Sequence, residues 1–322
     1  MKNKMIRIAI LILIILFLTS CTNNVITTPD NDITIRVIVK KPSHDFWAVV
    51  EKGTEAAGRE FGVIVEYIGP ANEEDIDGQI RMVDAAIEDK VDAIVLAAID
   101  YEKLVPVAEK AKDSGIPVII IDSNINSDRM DSFIGTDNVD AGRVLGQSMI
   151  DVLGTDIDIA IVSFVKGAAS SNEREMGVVD AISQYTDINL LDILYCNSVE
   201  SIAKQKTIET IEKYPDIDAF VCLNAYATVG TARGIIEMGK AGKISIIGFD
   251  STPEEITYLE NDVIELLVVQ NPFSMGYLGV KYAIDAINGV DVPKKINTGA
   301  EVINKRNMYL PENQKLVFPF ID

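Results

Sequence analysis

Short apolar runs rich in β-branched residues punctuate the chain from Thr34 onward, at 34–39, 63–68, 93–97 and 118–121. Helical periodicity fills the intervals. Between the first two runs, Phe46, Val50, Ala57 and Phe61 recur at helical spacing and give one apolar face. A period of about 25–30 residues is the βα unit of a parallel sheet. Near-continuous apolar strands such as Val118-Ile119-Ile120-Ile121 are what a sheet covered on both faces requires, because neither side of the pleat meets water. The pattern then restarts, with runs at 158–164, 190–195, 219–223 and 245–249, a further strand at 265–269 and a helix over 273–288. Two such sets predict an α/β protein of two doubly wound parallel-sheet lobes. No Gly/Ser-rich linker separates the sets, so three short hinge segments are expected near Thr136, Gln270 and Thr298. Residues 33–136 with 271–298 form the expected first lobe, and 137–270 with 299–322 the second.

The start of the chain sets the compartment. Lys2, Lys4 and Arg7 form a basic region ahead of an unbroken apolar stretch of 11 residues at 8–18. That is too short to span a bilayer and has the length of a signal-peptide core. It ends in Leu18-Thr19-Ser20-Cys21, which resembles the lipobox of bacterial lipoproteins. Residues 1–20 are therefore expected to be a cleaved leader, Cys21 the lipidated first residue, and 21–32 a flexible tether. This places the folded part extracytoplasmic, lipid-anchored to the outer face of the cytoplasmic membrane.

Charge narrows the partners. The leader carries Lys2, Lys4 and Arg7 and no acid, so its removal moves the net charge from −20 to −23. Such acidity repels nucleic acid and anionic headgroups, leaving the lipid as the membrane contact. Beyond Cys21 only Cys196 and Cys222 remain. An extracytoplasmic setting permits a disulfide. In a sheet of order 2-1-3-4-5, however, their strands lie on either side of the first, roughly 9–10 Å apart, too far for a bridge. Free thiols are expected.

Polar residues stand where the apolar strands end. The runs 118–121, 220–223, 246–249 and 266–269 lead directly into Asp122, Asn224, Asp250 and Gln270. In open parallel sheets, ligands bind outside the carboxyl ends of the strands. Carboxylates accept charge-assisted hydrogen bonds and carboxamides both donate and accept, which suits a polyol. An Asp after a strand often only caps the next helix. At Asp250 that role is taken, because Thr252-Pro253-Glu254-Glu255 supplies an N-cap, a first-turn proline and a capping-box glutamate. Phe46 and Trp47 follow the first strand, and an aromatic face covers the C–H face of a sugar. The competing role for either ring is the helix core.

Taken in order, several segments resemble the ribose/galactose-type periplasmic sugar-binding proteins of ABC importers, over roughly residues 33–304. They are His44-Asp45-Phe46-Trp47, the run from Ile116 to Asp122, Gly135-Thr136-Asp137-Asn138 with Ala141-Gly142, Asn172-Glu173-Arg174-Glu175-Met176-Gly177, Tyr214-Pro215-Asp216, and Ile247-Gly248-Phe249-Asp250-Ser251-Thr252-Pro253. The resemblance implies the type I periplasmic-binding-protein fold, with the ligand in the cleft. Its sugar contacts fall on His44, Phe46, Trp47, Asp122, Thr136, Arg174, Asn224, Asp250 and Gln270. Departures bear on the ligand: Ser123 and Ala225 replace commoner polar residues, and Ser198 and Glu200 stand where a second arginine with a nearby aromatic is common. The expected ligand is a neutral monosaccharide, pentose or hexose, with Glu200 leaving an amino sugar open.

Other classes find less support. His44 is the only histidine, no Cys/His cluster has zinc spacing, and no glycine-rich phosphate loop follows a strand. No enzyme activity, metal or cofactor is expected, although Asp122 and Asp250 could mimic a glycosidase pair. A sugar-responsive transcription regulator of similar core would need a DNA-binding module where this chain has a leader. Two partners remain for a monomeric sugar-bound form, an ABC permease or a membrane histidine kinase.

Overall fold

The computed structural model describes residues 33–319; the expected leader, Cys21, the tether and residues 320–322 lie outside the described residues. The apolar runs form two six-stranded sheets. The first contains β1 (Thr34–Ile38), β2 (Ile64–Ile68), β3 (Ala93–Leu96), β4 (Val118–Ile121), β5 (Ser132–Gly135) and β11 (Lys295–Asn297), in the order β2-β1-β3-β4-β5-β11, all parallel. The second contains β6 (Ile157–Ser163), β7 (Ile188–Tyr195), β8 (Ala219–Cys222), β9 (Ser245–Phe249), β10 (Leu266–Gln270) and β12 (Ala300–Ile303), in the order β7-β6-β8-β9-β10-β12. Its β12 runs antiparallel to β10, with Gln270 opposite Ala300. The expected 2-1-3-4-5 order thus occurs twice. The edge additions β11 and β12, and the short β5, lack the continuous apolar signature and were not anticipated as strands.

Helices α1 (Asp45–Phe61), α2 (Ile76–Glu88) and α3 (Val105–Asp113) flank the first sheet. The second sheet carries α4 (Asn138–Leu153), α5 (Ala169–Ile182), α6 (Glu200–Lys213), α7 (Ala225–Glu237) and α8 (Pro253–Glu260). After β10 the chain returns α9 (Pro272–Ile287) to the first sheet, and α10 (Pro311–Val317) ends on the second. The chain passes between sheets three times: after β5, after β10, and between β11 and β12.

Covering both faces explains the unbroken strands. Ile94, Leu96 and Ile120 enter one core, while Ala93, Val95, Ile119 and Ile121 enter the core on the opposite face, all fully buried. The α1 stripe is corrected at its ends. Val50 and Ala57 are core, but Phe46 is only half-buried and Phe61 is exposed. Trp47 is buried instead, its carbonyl accepting from the Tyr67 hydroxyl at 2.7 Å. Cys196 follows β7 and Cys222 ends β8, on either side of β6, and both are buried free thiols.

Candidate functional site

The carboxyl ends of both sheets border one cavity. Residues from both halves line it. In the second half, Asp250 is the hub: its Oδ1 accepts from Gln270 Nε2 at 2.8 Å and its Oδ2 from the Ala225 N–H at 3.0 Å. Burial pushes the Asp250 carboxyl above its usual range, opposed by the Arg174 charge and these donors. The capping box of α8 forms between Thr252 and Glu255, so Asp250 does not cap that helix. Asn224 does cap α7, its Oδ1 accepting from Ala227 N at 2.9 Å, which leaves Nδ2 to reach Ser198 Oγ at 3.4 Å.

Arg174 is held from three sides. Its Nε donates to Asn138 Oδ1 at 2.9 Å, its Nη1 donates to the Leu223 carbonyl at 2.8 Å, and its guanidinium lies 3.8 Å from the Phe249 ring centroid. Nη2 has no acceptor among the described residues. Burial lowers the Arg174 pKa, against the opposing charges of Asp250 and then Asp122. Arg174 and Asp250 therefore both carry a desolvation cost. The close approach of α4 and α5 places this side chain: a Cβ on Gly142 would sit 2.3 Å from the Arg174 carbonyl oxygen, and one on Gly177 2.1 Å from that of Val139. The resembling segments Ala141-Gly142 and Met176-Gly177 thus have a packing reason.

In the first half, Asp122 faces a cation that the sequence reading missed. Lys40 Nζ is 2.8 Å from Asp122 Oδ2 and 3.1 Å from Ser170 Oγ of the second half, with both ionic side chains buried. Lys40 stands just beyond β1, so the strand-end rule that found Asp122 applied to it as well. His44 caps α1, its Nδ1 accepting from Phe46 N at 3.3 Å, and its ring lies 4.0 Å from that of Tyr226 in the other half. Burial, then the nearby Lys41 charge, lowers its pKa to about 4. Phe46 and Trp47 meet edge to face at 5.0 Å and both border the cavity.

Of the nine expected ligand residues, eight line this cavity: His44, Phe46, Trp47, Asp122, Arg174, Asn224, Asp250 and Gln270. Thr136 does not. Its buried hydroxyl donates to Gln270 Oε1 at 2.8 Å, so it orients the Gln270 amide from behind. Glu200 is also displaced; it pairs with Arg233 and does not line the cavity. Ser198 and Ser123 make contacts between the halves instead, Ser198 with Glu73 at 2.7 Å and Ser123 with Ser170 at 3.3 Å. Glu73 and Tyr226 line the cavity without having been anticipated. Glu73 lies inside the acidic run 73–75, which reads as a solvated loop, and Tyr226 inside an apolar helical turn.

Two α/β halves bordering one polar cavity are the arrangement of a solute-binding protein. The chain belongs to the periplasmic binding protein domain family, which its residues 35–291 match. It is 27% identical over 258 residues to the D-allose-binding periplasmic protein of Escherichia coli (strain K12), covering 78% of this chain and 83% of that one. A carbohydrate transporter solute-binding protein from Agrobacterium radiobacter, solved with D-arabinose, superposes with a TM-score of 0.86 at 30% identity, covering 89% and 99% of the two chains. An ABC transporter solute-binding protein from Agrobacterium vitis, solved with D-fucose, gives a TM-score of 0.86 at 35% identity over 88% and 100%. The resemblance to ribose/galactose-type sugar-binding proteins therefore stands, and the family places the folded part outside the cytoplasm. No helix among the described residues is long and apolar enough to cross a membrane.

Proposed function

We propose that the protein is an extracytoplasmic lipoprotein that binds a monosaccharide, pentose or hexose, and delivers it as a monomer to an ABC importer. The carrying observation is the convergence of Asp122, Asn224, Asp250 and Gln270, strand-end residues of two sheets, on one cavity with Arg174 and an aromatic wall. Two carboxylates and two carboxamides match hydroxyls that both donate and accept, while Phe46 and Trp47 offer apolar faces to the sugar's C–H groups. The ligands named for these relatives, D-allose, D-arabinose and D-fucose, are of this class. The Leu18-Thr19-Ser20-Cys21 segment supports lipidation at Cys21.

The lobes divide at residues 136, 270 and 298, where the chain changes sheets, and these segments act as the hinge. Sugar docks on the first lobe beside Asp122 and the aromatics; closure brings Arg174, Asn224 and Asp250 onto it. A ligand bridging both lobes gains contacts only in the closed state, and that differential affinity shifts the population.

A thermal-shift screen of the purified protein against pentoses, hexoses, inositols and amino sugars tests this reading. A sugar at 100 times its dissociation constant adds roughly 2.7 kcal/mol, a rise of several degrees. No shift across the panel, with a cooperative unfolding transition in hand, overturns it. Recovery of a histidine kinase rather than a permease on sugar-loaded protein overturns the import role alone.

A further inference from the structure

One corner of the cavity lies outside the strand-end set. Glu73, from the connection between β2 and α2, is 5% exposed and lines the cavity. Its Oε2 accepts from Ser198 Oγ across the cleft at 2.7 Å, while Oε1 accepts from no described residue. No described cation forms an ion pair with it. From the opposite half, Tyr226 in the first turn of α7 lines the same cavity, 6% exposed. Its hydroxyl is buried and has no hydrogen-bond partner among the described residues. The ring is fixed by His44 at 4.0 Å and by Lys41 Nζ 4.5 Å from its centroid, so the hydroxyl is not free to swing to solvent. Burial, and then the Glu73 charge, pushes the phenol above its ordinary range.

A buried polar atom without a partner is destabilising, and in native structures such atoms are few. Here a residue with an acceptor-only carboxylate and a residue with an unpartnered phenol O–H line the same cavity. One hydroxyl satisfies both, because it donates and accepts at once. A carboxylate acceptor makes the first of those bonds charge-assisted.

We infer that Glu73 and Tyr226 form a hydroxyl-recognition subsite: a ligand hydroxyl at this end donates to Glu73 Oε1 and accepts from the Tyr226 phenol. The subsite rests on the monosaccharide reading and narrows it to sugars that carry a hydroxyl there. It also carries the discrimination, since a site built to bond a hydroxyl rejects the analogue that lacks it.

The test is calorimetric titration of wild-type protein, Tyr226→Phe and Glu73→Gln with paired sugars. D-galactose is set against D-fucose, which lacks only the exocyclic hydroxyl, and D-allose against its monodeoxy derivatives. In the wild type, one deletion costs about ten- to a hundred-fold in affinity. Tyr226→Phe weakens the parent sugar by a comparable factor and leaves that deoxy derivative bound as in the wild type, with an unchanged thermal midpoint. Glu73→Gln, which keeps an acceptor but not the charge, reduces the parent-to-deoxy ratio without abolishing it. A ratio unchanged in Tyr226→Phe for every pair overturns the subsite while leaving the sugar reading intact. Tighter binding of an amino sugar than of its neutral parent, lost in Glu73→Gln, overturns the assignment to a hydroxyl. If the folded wild type binds none of the panel, the sugar reading itself falls and the subsite with it.

Discussion

Asp122 and Asp250 occupy equivalent points of the two sheets. Each is the first residue beyond the fourth strand in its order, and each donates its backbone N–H to the neighbouring strand, Asp122 to Ile134 O at 3.0 Å and Asp250 to Val268 O at 2.9 Å. Each also holds a left-handed backbone, with φ of 59° and 80°. Aspartate tolerates this region better than bulky or branched residues, though it still costs about 1–3 kcal/mol. The carboxylates meet different cations: Lys40 pairs with Asp122, whereas the Arg174 charge acts on Asp250.

That setting makes Asp250 the more consequential carboxylate. Asp250→Asn keeps the size and an acceptor but removes the charge that opposes Arg174. Affinity for the bound sugar is expected to fall by about 2–4 kcal/mol, as when one partner of a buried charge pair is removed. Titration calorimetry reads it, and unchanged affinity would remove Asp250 from the site.

Gly177 tests whether packing places Arg174. A Cβ there would meet the Val139 carbonyl oxygen at 2.1 Å, so Gly177→Ala forces α5 away from α4. Overpacking of this kind costs about 1–3 kcal/mol of stability. Sugar affinity should fall as well, because Arg174 Nε and Nη1 lose their fixed acceptors. A urea midpoint equal to the wild type would show that the helices have room.

The two thiols should be silent until the chain unfolds. Burial raises Cys196 to about 11 and Cys222 further still, which suppresses the reactive thiolate. Native protein at neutral pH is expected to resist a maleimide at both positions, and denatured, unreduced protein to react at both. Mass spectrometry of the peptides holding residues 196 and 222 decides it; no labelling after denaturation would mean that they are bridged.

The strand ends were legible because a covered strand must be apolar throughout, so the first polar residue after Val118-Ile119-Ile120-Ile121 marks the sheet edge by itself. Asp122, Asn224, Asp250 and Gln270 follow from that rule alone. Lys40 obeys the same rule but sits beside Lys41, and a pair of lysines reads as solvated surface until Asp122 and Ser170 are seen around it. Thr136 was drawn into the site by resemblance; its hydroxyl turns to Gln270 Oε1, a direction set by the β5 and β10 crossings and not by its neighbours in sequence. Glu73 and Tyr226 become a pair only when the halves meet, a long-range fact with no local periodicity. The edge strand β11 escaped because Lys295-Ile296-Asn297 is short and mostly exposed, so the burial that writes an apolar run is missing.

His44 makes both folding and sugar binding sensitive to acid. Its pKa in the folded protein, about 4, lies below the ordinary value of 6.5, chiefly through burial. The unfolded chain therefore takes up the proton more readily, and the contribution to stability is present in full above pH 6.5 and lost as pH falls through 4. The shift sets a ceiling of roughly 3 kcal/mol, and partial exposure of the ring reduces it. Part of the burial comes from Tyr226 across the cleft, so the same proton disfavours the closed arrangement and weakens sugar binding in the same window. The raised carboxyls of Asp250 and Glu255 act with the opposite sign, so the measurement must be differential. His44→Asn can still cap α1 but does not titrate there. The wild type is expected to lose more affinity and more thermal stability than His44→Asn between pH 7 and about pH 5. Parallel pH profiles for the two proteins would assign the acid sensitivity to another group.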